Sequence, residues 1–153
     1  STAGHANPPH EWECNRPFMI WLRPKIEIAL AEWDIQYTDI IATGSWTNLH
    51  KRDAHTLPHD HGSANVVVSA YVQVPPQSGN IEFEQLLRTN WTGYSRIPTN
   101  TIHDYWKEVS IQTNDVVIFP GWLTHKTQAS NSDEDRITFT INVNGRDRST
   151  IPL

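Results

Sequence analysis

The sequence predicts a mostly β domain of the sandwich or barrel type, with one short helix near its start. From residue 43 onward, short runs rich in Val, Ile, Thr and aromatic residues alternate with turn-forming residues, which is typical of such folds. The chain has 153 residues, a length that suits one domain with its own core. Seven tryptophans supply large apolar side chains for that core. We therefore expect a flexible lead-in over residues 1–16 and a single domain over residues 17–153.

The first part of the chain predicts the lead-in and then the helix. Residues 1–16 are polar, contain proline and show no periodicity, so we assign them no chemistry. In "RPKIEIALAEWDI", Pro24 suits the first turn of a helix. The apolar residues that follow it at helical spacing are Ile26, Ala29, Leu30 and Trp33. This pattern predicts an amphipathic helix over about residues 24–34, with its apolar stripe facing the core.

Seven later runs are predicted to be strands. β-branched and aromatic residues dominate these runs, and Gly, Asn, Asp or Ser separates them. The predicted strands are residues 43–50, 64–74, 80–85, 103–111, 116–120, 122–128 and 136–143. The run "ASNSDED", residues 129–135, separates the last two strands. It is predicted to be the loop of a β-hairpin.

Charge and cysteine content argue against several classes of protein. The 12 Lys and Arg residues are scattered and the net charge is −5, so we expect no surface for nucleic acid or anionic lipid. The only cysteine, Cys14, excludes an intramolecular disulfide framework and a zinc site built on paired cysteines. No apolar stretch reaches membrane-spanning length, and no secretory leader opens the sequence. These features predict a cytoplasmic protein.

The motif "HDH" suggests a metal site. Side chains alternate along an extended segment, so His59 and His61 project to the same side and Asp60 to the other. An isolated pair of this kind often arises by chance, so a third ligand is needed to support the interpretation. His125 is the candidate, because it follows "FPGWL" at the opening of a later strand. Imidazoles suit first-row divalent metals, and three protein ligands leave open positions for catalysis.

A second pair of residues suggests a carboxylate socket. Arg136 and Thr138 share one face of the strand that follows the acidic run "SDED". A guanidinium binds a carboxylate bidentately, and a nearby hydroxyl adds one more donor. The alternative is that Arg136 is a solvated charge after the acidic run. The histidines favour the socket.

The order of these motifs resembles the phage- and bacteria-associated branch of the Fe(II)/2-oxoglutarate-dependent oxygenases. The resemblance rests on "SWTNLH", "HDH", "DVVIFPGWLTH" and "RITFTIN", and it covers roughly residues 43–143. It implies a double-stranded β-helix, or jelly roll, in which His59, His61 and His125 hold iron. In the wider superfamily a carboxylate occupies the position of His61. The resemblance places the protein in the cytoplasm of the host if a phage encodes it.

The resemblance also implies an activity. The protein is expected to be a dioxygenase that uses Fe(II), 2-oxoglutarate and O2 to hydroxylate a substrate, with release of succinate and CO2. Arg136 and Thr138 would hold the far carboxylate of 2-oxoglutarate. Tyr71 lies an even number of residues from His61, so its hydroxyl is a candidate to bind the cosubstrate, unless it is an ordinary core tyrosine. Asn48 is a candidate to donate to the cosubstrate or to order a metal-bound water, unless its amide only caps a turn. No catalytic side chain beyond the metal ligands is expected, and residues 87–106 are the candidate substrate-facing loop.

Two other interpretations remain open from the sequence. A three-histidine cupin-type dioxygenase would bind its substrate on the metal without 2-oxoglutarate, and would have no use for Arg136. A jelly roll with seven tryptophans is also compatible with a non-catalytic binding module. The remaining histidines of the β region, at positions 50, 55 and 103, have no spacing that converges on a metal, so they are not candidate ligands.

Overall fold

A computed structural model describes residues 8–85 and 105–146 of the chain. Two 3-10 turns, Pro9–Glu11 and Glu13–Asn15, lead into one helix, α1, Arg16–Glu32. The strands that follow are β1 Asp39–His50, β2 Val66–Gln73, β3 Ile81–Glu84, β4 Trp106–Val109, β5 Val116–Pro120, β6 His125–Thr127 and β7 Arg136–Arg146. The mostly β class with one helix is thus confirmed. The predicted loop over residues 87–106 lies almost entirely outside the described residues.

The strands form two antiparallel sheets. The larger sheet has the order β1-β7-β2-β5 and the smaller has the order β4-β3-β6. β2 is an inner strand of the larger sheet, and Val66, Val67 and Val68 are completely buried on its two faces. A continuous run of β-branched residues is expected where both faces of a strand are covered.

Helix α1 covers the outer face of the larger sheet. Its buried residues Leu22, Ile26 and Leu30 pack in one cluster with Val66 of β2 and Ile141 of β7. The alternate residues of β2 and β7 point the other way, into the space between the sheets, where Val67 packs with Ile81 of β3 and Phe119 of β5. The two-residue period of β2 and β7 therefore separates an apolar face against the helix from the face that lines the interior of the sandwich.

The helix begins earlier than the sequence predicts. Its first turn contains Pro17, so Pro24 lies inside the helix and not in its first turn. An interior proline lacks the N–H for one helical hydrogen bond. Pro24 is exposed, while Leu22 is completely buried. The packing of the residues around Pro24 against the sheet therefore offsets the missing hydrogen bond, and the predicted apolar stripe is the one that is buried.

Part of the predicted lead-in is packed against β1. Residues 1–7 lie outside the described residues, while the two 3-10 turns occupy residues 9–15. The backbone N–H of His10 donates to Ser45 Oγ, and Nδ1 of the same histidine shares a hydrogen bond with that hydroxyl, both at 2.9 Å. Desolvation by burial lowers the pKa of His10. His10 is therefore not a solvated side chain of a tail.

The prediction of a hairpin between the last two strands was wrong. β6 pairs with β3 in the smaller sheet, and β7 pairs with β1 and β2 in the larger one. The segment 128–135 therefore crosses from one sheet to the other. Backbone hydrogen bonds from Asp53 N to Ser130 O and from Ser130 N to Ala54 O hold this crossing in place. As a result, His125 and Arg136 stand on opposite sheets.

Among the described residues, no helix has both the length and the apolar character needed to cross a membrane.

Candidate functional site

A cavity of about 100 Å³ lies between the two sheets. The larger sheet contributes polar side chains from the interior faces of β1, β2 and β7, and the smaller sheet contributes residues of β3 and β6. The segment before β2 adds the two histidines of the "HDH" motif. The lining includes Asn48, His50, His59, His61, Tyr71, His125 and Thr138.

Three histidines converge on one point of this cavity. His59, His61 and His125 each offer one ring nitrogen, and these nitrogens all lie within 4.8 Å of one another. His59 and His125 face each other in an isolated antiparallel bridge, with backbone N–H to O distances of 3.0 and 2.9 Å. His61 follows two residues later on the same side, and its N–H donates to Gly121 O at 2.8 Å. The structure therefore brings together the three ligands predicted from the sequence.

The other ring nitrogen of each histidine is held by an acceptor. His59 Nδ1–H donates to Leu57 O at 2.8 Å, and His125 Nδ1–H donates to Leu123 O at 3.0 Å. His61 Nδ1–H donates to Asn142 Oδ1 at 2.7 Å. Each bond fixes the proton on Nδ1 and leaves the lone pair of Nε2 available, which is the usual arrangement of metal-binding imidazoles. The donor set thus fits a divalent metal.

Burial favours the neutral form of two of these histidines, His61 and His125. Desolvation lowers the pKa of His125 to about 4 and lowers the pKa of His61 from its ordinary value. A metal must compete with protons for an imidazole, so a low pKa leaves the ligands free at neutral pH. Asp60, as predicted, does not belong to this set, because its carboxylate accepts from the N–H of Gly62 at 2.8 Å.

Aromatic rings surround the three histidines. Trp46 stacks on His61 with ring centroids 5.7 Å apart, and Phe119 meets His125 edge-on at 4.7 Å. Such rings reduce access of water and lower the local dielectric. Trp46 therefore lines the cavity as well as contributing to packing. The side chain of Trp122, by contrast, is 56% exposed.

Arg136 is completely buried, and two of its three side-chain nitrogens have no hydrogen-bond partner. Its Nη1 donates to Ser78 O and Gly79 O, both at 2.8 Å, while Nε and Nη2 have no hydrogen-bond partner. Nε and Nη2 form the edge of the guanidinium that binds a carboxylate bidentately. No described ion pair includes Arg136. Leaving buried donors unpaired costs free energy, so this edge fits an anionic ligand.

Sheet register places the other predicted residues beside this arginine. Thr138 pairs with Asn48 on one side and with Tyr71 on the other, so the three form one row across β1, β7 and β2. Arg136 precedes Thr138 by two residues and lies on the same face. Burial raises the pKa of Tyr71, so its phenol stays protonated and can donate a hydrogen bond. Asn48 Nδ2 donates to Thr140 Oγ1 at 3.5 Å.

Sequence reasoning missed two residues of the site. His50 is buried and lines the cavity, although it was left out as a candidate ligand. Asn142 orients His61. Both residues could have been predicted from the alternation of side chains along a strand. His50 is two residues from Asn48, and Asn142 is six residues from Arg136, so each shares a face with a residue that was predicted. The carbonyl groups of Ser78 and Gly79 could not be predicted in this way. They accept from Arg136 Nη1, but they lie in a loop far from Arg136 along the chain.

Comparison with protein families finds one matching model. The family described as "Putative 2OG-Fe(II) oxygenase" matches residues 44–142, which is more than half of the chain. This range contains all seven residues that the sequence proposes for metal and cosubstrate. Among curated proteins, none matches the sequence.

Several solved structures share the fold at low identity. An oxidoreductase of the 2OG-Fe(II) oxygenase family from Burkholderia pseudomallei has a TM-score of 0.60 and 11% identity over 97% of this chain and 68% of its own. A prolyl-4-hydroxylase from Pseudomonas putida has a TM-score of 0.59 and 13% identity over 91% and 69%. At these identities the likeness shows the fold, which confirms the jelly roll predicted from the sequence.

HygX from Streptomyces hygroscopicus is a third neighbour. Its structure with iron bound has a TM-score of 0.53 and 15% identity over 84% of this chain and 68% of HygX. Its structure with nickel and 2-oxoglutarate bound has a TM-score of 0.51 and 12% identity over 71% and 57%. The chain spans only 50%, 59% and 32% of the length of other solved structures that it matches.

Proposed function

The chain belongs to the 2OG-Fe(II) oxygenase family, and we propose on that basis that it is an Fe(II)- and 2-oxoglutarate-dependent dioxygenase that hydroxylates a substrate. One observation carries the proposal. The completely buried Arg136 presents an unpaired bidentate edge on the face of β7 that lines the three-histidine cavity. A metal site alone fits many reactions, whereas a metal site beside a buried carboxylate socket fits a 2-oxo dicarboxylic acid.

The metal would be held by His59, His61 and His125. Three imidazoles with Nε2 free suit Fe(II), and three protein ligands leave positions for the 2-oxo acid and O2. HygX, which shares the fold, has been crystallised with iron and with nickel and 2-oxoglutarate. Bound iron, with 2-oxoglutarate and O2, supplies oxidation of a substrate C–H bond together with release of succinate and CO2.

The protein's own residues would fix the cosubstrate and exclude water. Arg136 binds the far carboxylate through Nε and Nη2, while Ser78 and Gly79 hold its Nη1 and so prevent the guanidinium from turning. Thr138 and Tyr71 add hydroxyl donors from the next row of the sheet. With its far end fixed, the cosubstrate has its keto group oriented before reaction, which lowers the entropic part of the barrier.

The carboxylate socket favours this proposal over the two alternatives. A cupin-type dioxygenase that binds its substrate directly on the metal needs no buried guanidinium. A binding module needs neither an unpaired arginine nor three imidazoles with their Nε2 atoms free. A cavity of about 100 Å³ is small beside the 300–1,000 Å³ of typical ligand pockets. It therefore suits a small cosubstrate better than a carbohydrate or peptide.

Substitution of Arg136 tests the proposal. Arg136→Ala is expected to keep its metal yet to bind 2-oxoglutarate more weakly by roughly 10² or more, because the far carboxylate loses a charged bidentate partner. Arg136→Lys keeps the charge but not the fork, so its affinity should lie between the two. Calorimetry under anaerobic conditions with Mn(II) in the site measures both affinities.

The control is Arg52→Ala, since Arg52 is an exposed arginine paired with Asp133. Its 2-oxoglutarate affinity should equal that of the wild type. A 2-oxo monoacid of the same chain length should bind the wild type about as weakly as 2-oxoglutarate binds Arg136→Ala. Unchanged affinity in Arg136→Ala, or no binding of 2-oxoglutarate by the wild type, would refute the cosubstrate assignment.

A further inference from the structure

The unpaired buried polar atoms of the described residues gather around Arg136. They are His50 Nδ1, Ser78 Oγ, Arg136 Nε and Arg136 Nη2. Buried polar groups are normally hydrogen-bonded, so each exception needs an explanation. Four exceptions in one place indicate a ligand that supplies the missing partners. Two of the four belong to the guanidinium edge that we propose to bind a carboxylate, and the other two, on His50 and Ser78, have no role in that proposal.

His50 is the neighbour of Arg136 on the adjacent strand. His50 and Arg136 are cross-strand partners of β1 and β7, so their side chains lie on the same face of the sheet. His50 is 8% exposed and lines the cavity. Ser78 lies on the other side of the guanidinium, because its carbonyl oxygen accepts from Arg136 Nη1. Three separate segments thus meet at the Arg136 side chain, and His50 lies between this side chain and the cavity lining.

The imidazole of His50 has two possible proton positions. Its Nε2 lies 2.9 Å from Thr56 Oγ1, and its Nδ1 has no partner. Burial first, and then the positive charges of Arg136 and His55, lower the pKa of His50 to about 4, so the ring is neutral at pH 7. Either Nε2–H donates to Thr56, or the Thr56 hydroxyl donates to Nε2 and Nδ1 carries the proton. A carboxylate can only accept, so a carboxylate beside Nδ1 selects the second arrangement.

We propose that His50 is a cosubstrate-binding residue, whose Nδ1–H donates to the far carboxylate of the 2-oxo acid that Arg136 binds. Thr56 orients the ring by donating to Nε2. The inference rests on the proposed function and adds a donor from β1 that makes the socket selective for a carboxylate over an amide or an alkyl end. An uncharged end group would leave Arg136 unpaired, and an amide nitrogen would meet a second donor at His50.

The variants His50→Asn and His50→Gln distinguish a role of His50 in binding the cosubstrate from a purely structural role. The side-chain amide of asparagine places its nitrogen near the position of histidine Nδ1, while that of glutamine places its nitrogen near Nε2. His50→Asn should therefore keep most of the affinity for 2-oxoglutarate. His50→Gln should lose it by roughly 10- to 100-fold, the effect of one hydrogen bond to a charged group. Anaerobic calorimetry with Mn(II) in the site measures both, and elemental analysis should find unchanged metal content.

A purely structural role predicts the reverse order. If only the contact with Thr56 mattered, glutamine would substitute better than asparagine, and the difference would appear in the urea midpoint and not in the affinity. The matched control is His55→Gln, an exposed histidine five residues away. Because His50 and Arg136 act on the same carboxylate, His50→Gln should cost little further affinity in an Arg136→Ala background.

The outcomes separate the two proposals. Failure of wild-type protein to bind 2-oxoglutarate would overturn the proposed function, and this inference with it. If the wild type binds but the asparagine and glutamine variants have equal affinities, only the role of His50 is overturned. If either variant fails to fold, nitrogen-15 NMR of the zinc-loaded wild type tests the role of His50 instead. Addition of 2-oxoglutarate should then shift His50 to the Nδ1–H tautomer, and an unchanged spectrum of that ring would contradict the inference.

Discussion

At the scale of single residues, the three histidines of the candidate metal site share one arrangement. His59, His61 and His125 each donate from Nδ1, although the acceptors differ between backbone carbonyls and the amide of Asn142. Two acceptors are backbone carbonyls located two residues before the histidine that they fix, so the local chain itself sets those tautomers. His61 depends on a side chain 81 positions away. Its orientation therefore requires the assembled sheet, and not only the loop that carries it.

Removal of any one of these histidines should remove the metal. His59→Ala, His61→Ala and His125→Ala each leave two ligands, which hold a labile divalent ion poorly. Each variant should lose stoichiometric Fe(II) or its substitutes while keeping the far-ultraviolet circular dichroism of the wild type. Elemental analysis after dialysis is the measurement. His55→Ala serves as the control and should retain full occupancy, since its ring contacts only Asp53 O, at 3.4 Å. Full occupancy in a triad variant would remove that residue from the ligand set.

The sequence predicted residues of the site where local rules apply. The alternation of side chains was enough to pair His59 with His61, and Arg136 with Thr138, on common faces. His50 was not predicted, because its proposed role depends on its position opposite Arg136. These two residues are 86 positions apart, and the sequence of either strand alone does not reveal that the two strands pair. The roles proposed for Asn48 and Tyr71 remain predictions.

At the scale of elements, the site depends on a close approach between two segments. Gly121, at the end of β5, accepts from His61 N and donates to Asn65 O, so it joins the histidine segment to the strand that precedes His125. A side chain at Gly121 would overlap with the carbonyl oxygen of Ala64. Backbone atoms cannot move aside as a flexible side chain can, so this contact requires glycine.

Substitution of this glycine should disturb the site from a distance. Gly121→Ala forces the 61–65 segment away from β5, and we expect it to lower the free energy of unfolding by about 1–3 kcal/mol through steric overlap. Metal affinity should fall as well, because His61 moves. Urea unfolding and metal titration measure the two effects. Gly44→Ala is the matched control: a methyl group there meets nothing within 4 Å. Equal stability of the two variants would show that the close approach is unimportant.

Elements were predictable where pattern and length sufficed, and their connections were not. The strands lie close to the predicted runs because alternating β-branched residues identify extended segments. The supposed hairpin between β6 and β7 failed because adjacency along the chain does not say which sheet a strand joins. The predicted start of the helix was wrong because Pro17 and Pro24 both suit the first turn of a helix. Only the burial of Leu22, which the sequence does not show, favours the earlier start.

At the scale of the whole molecule, the sandwich buries histidines in a neutral state. The pKa values of His50 and His125 are lowered to about 4, mainly by burial, while an unfolded chain has its histidines near 6.5. Between pH 6.5 and 4 the unfolded state therefore binds more protons than the metal-free folded state. Folding stability must then decrease as the pH falls through this range.

This linkage predicts a pH dependence of the metal-free protein. Its free energy of unfolding should fall by on the order of a few kcal/mol between pH 7 and pH 4, as two buried imidazoles become protonated on unfolding. Urea unfolding at a series of pH values measures the slope. His50→Asn should reduce the slope, since one titrating group is removed, whereas His55→Ala should leave it unchanged. A wild-type slope that is flat over this range would contradict the neutral burial of His50.

The central position of β7 has a consequence for biosynthesis. β7 follows all the other described strands along the chain, yet it lies between β1 and β2, and its Thr140 contacts Asn48 at a separation of 92 positions. During translation β1 and β2 must wait with open edges until β7 leaves the ribosome. Pairing over such distances is slow, and exposed strands such as the Val66–Val68 run are prone to aggregate. The edges of β1 and β2 that pair with β7 therefore stay open until β7 emerges, and His61 lacks its acceptor on Asn142 until then.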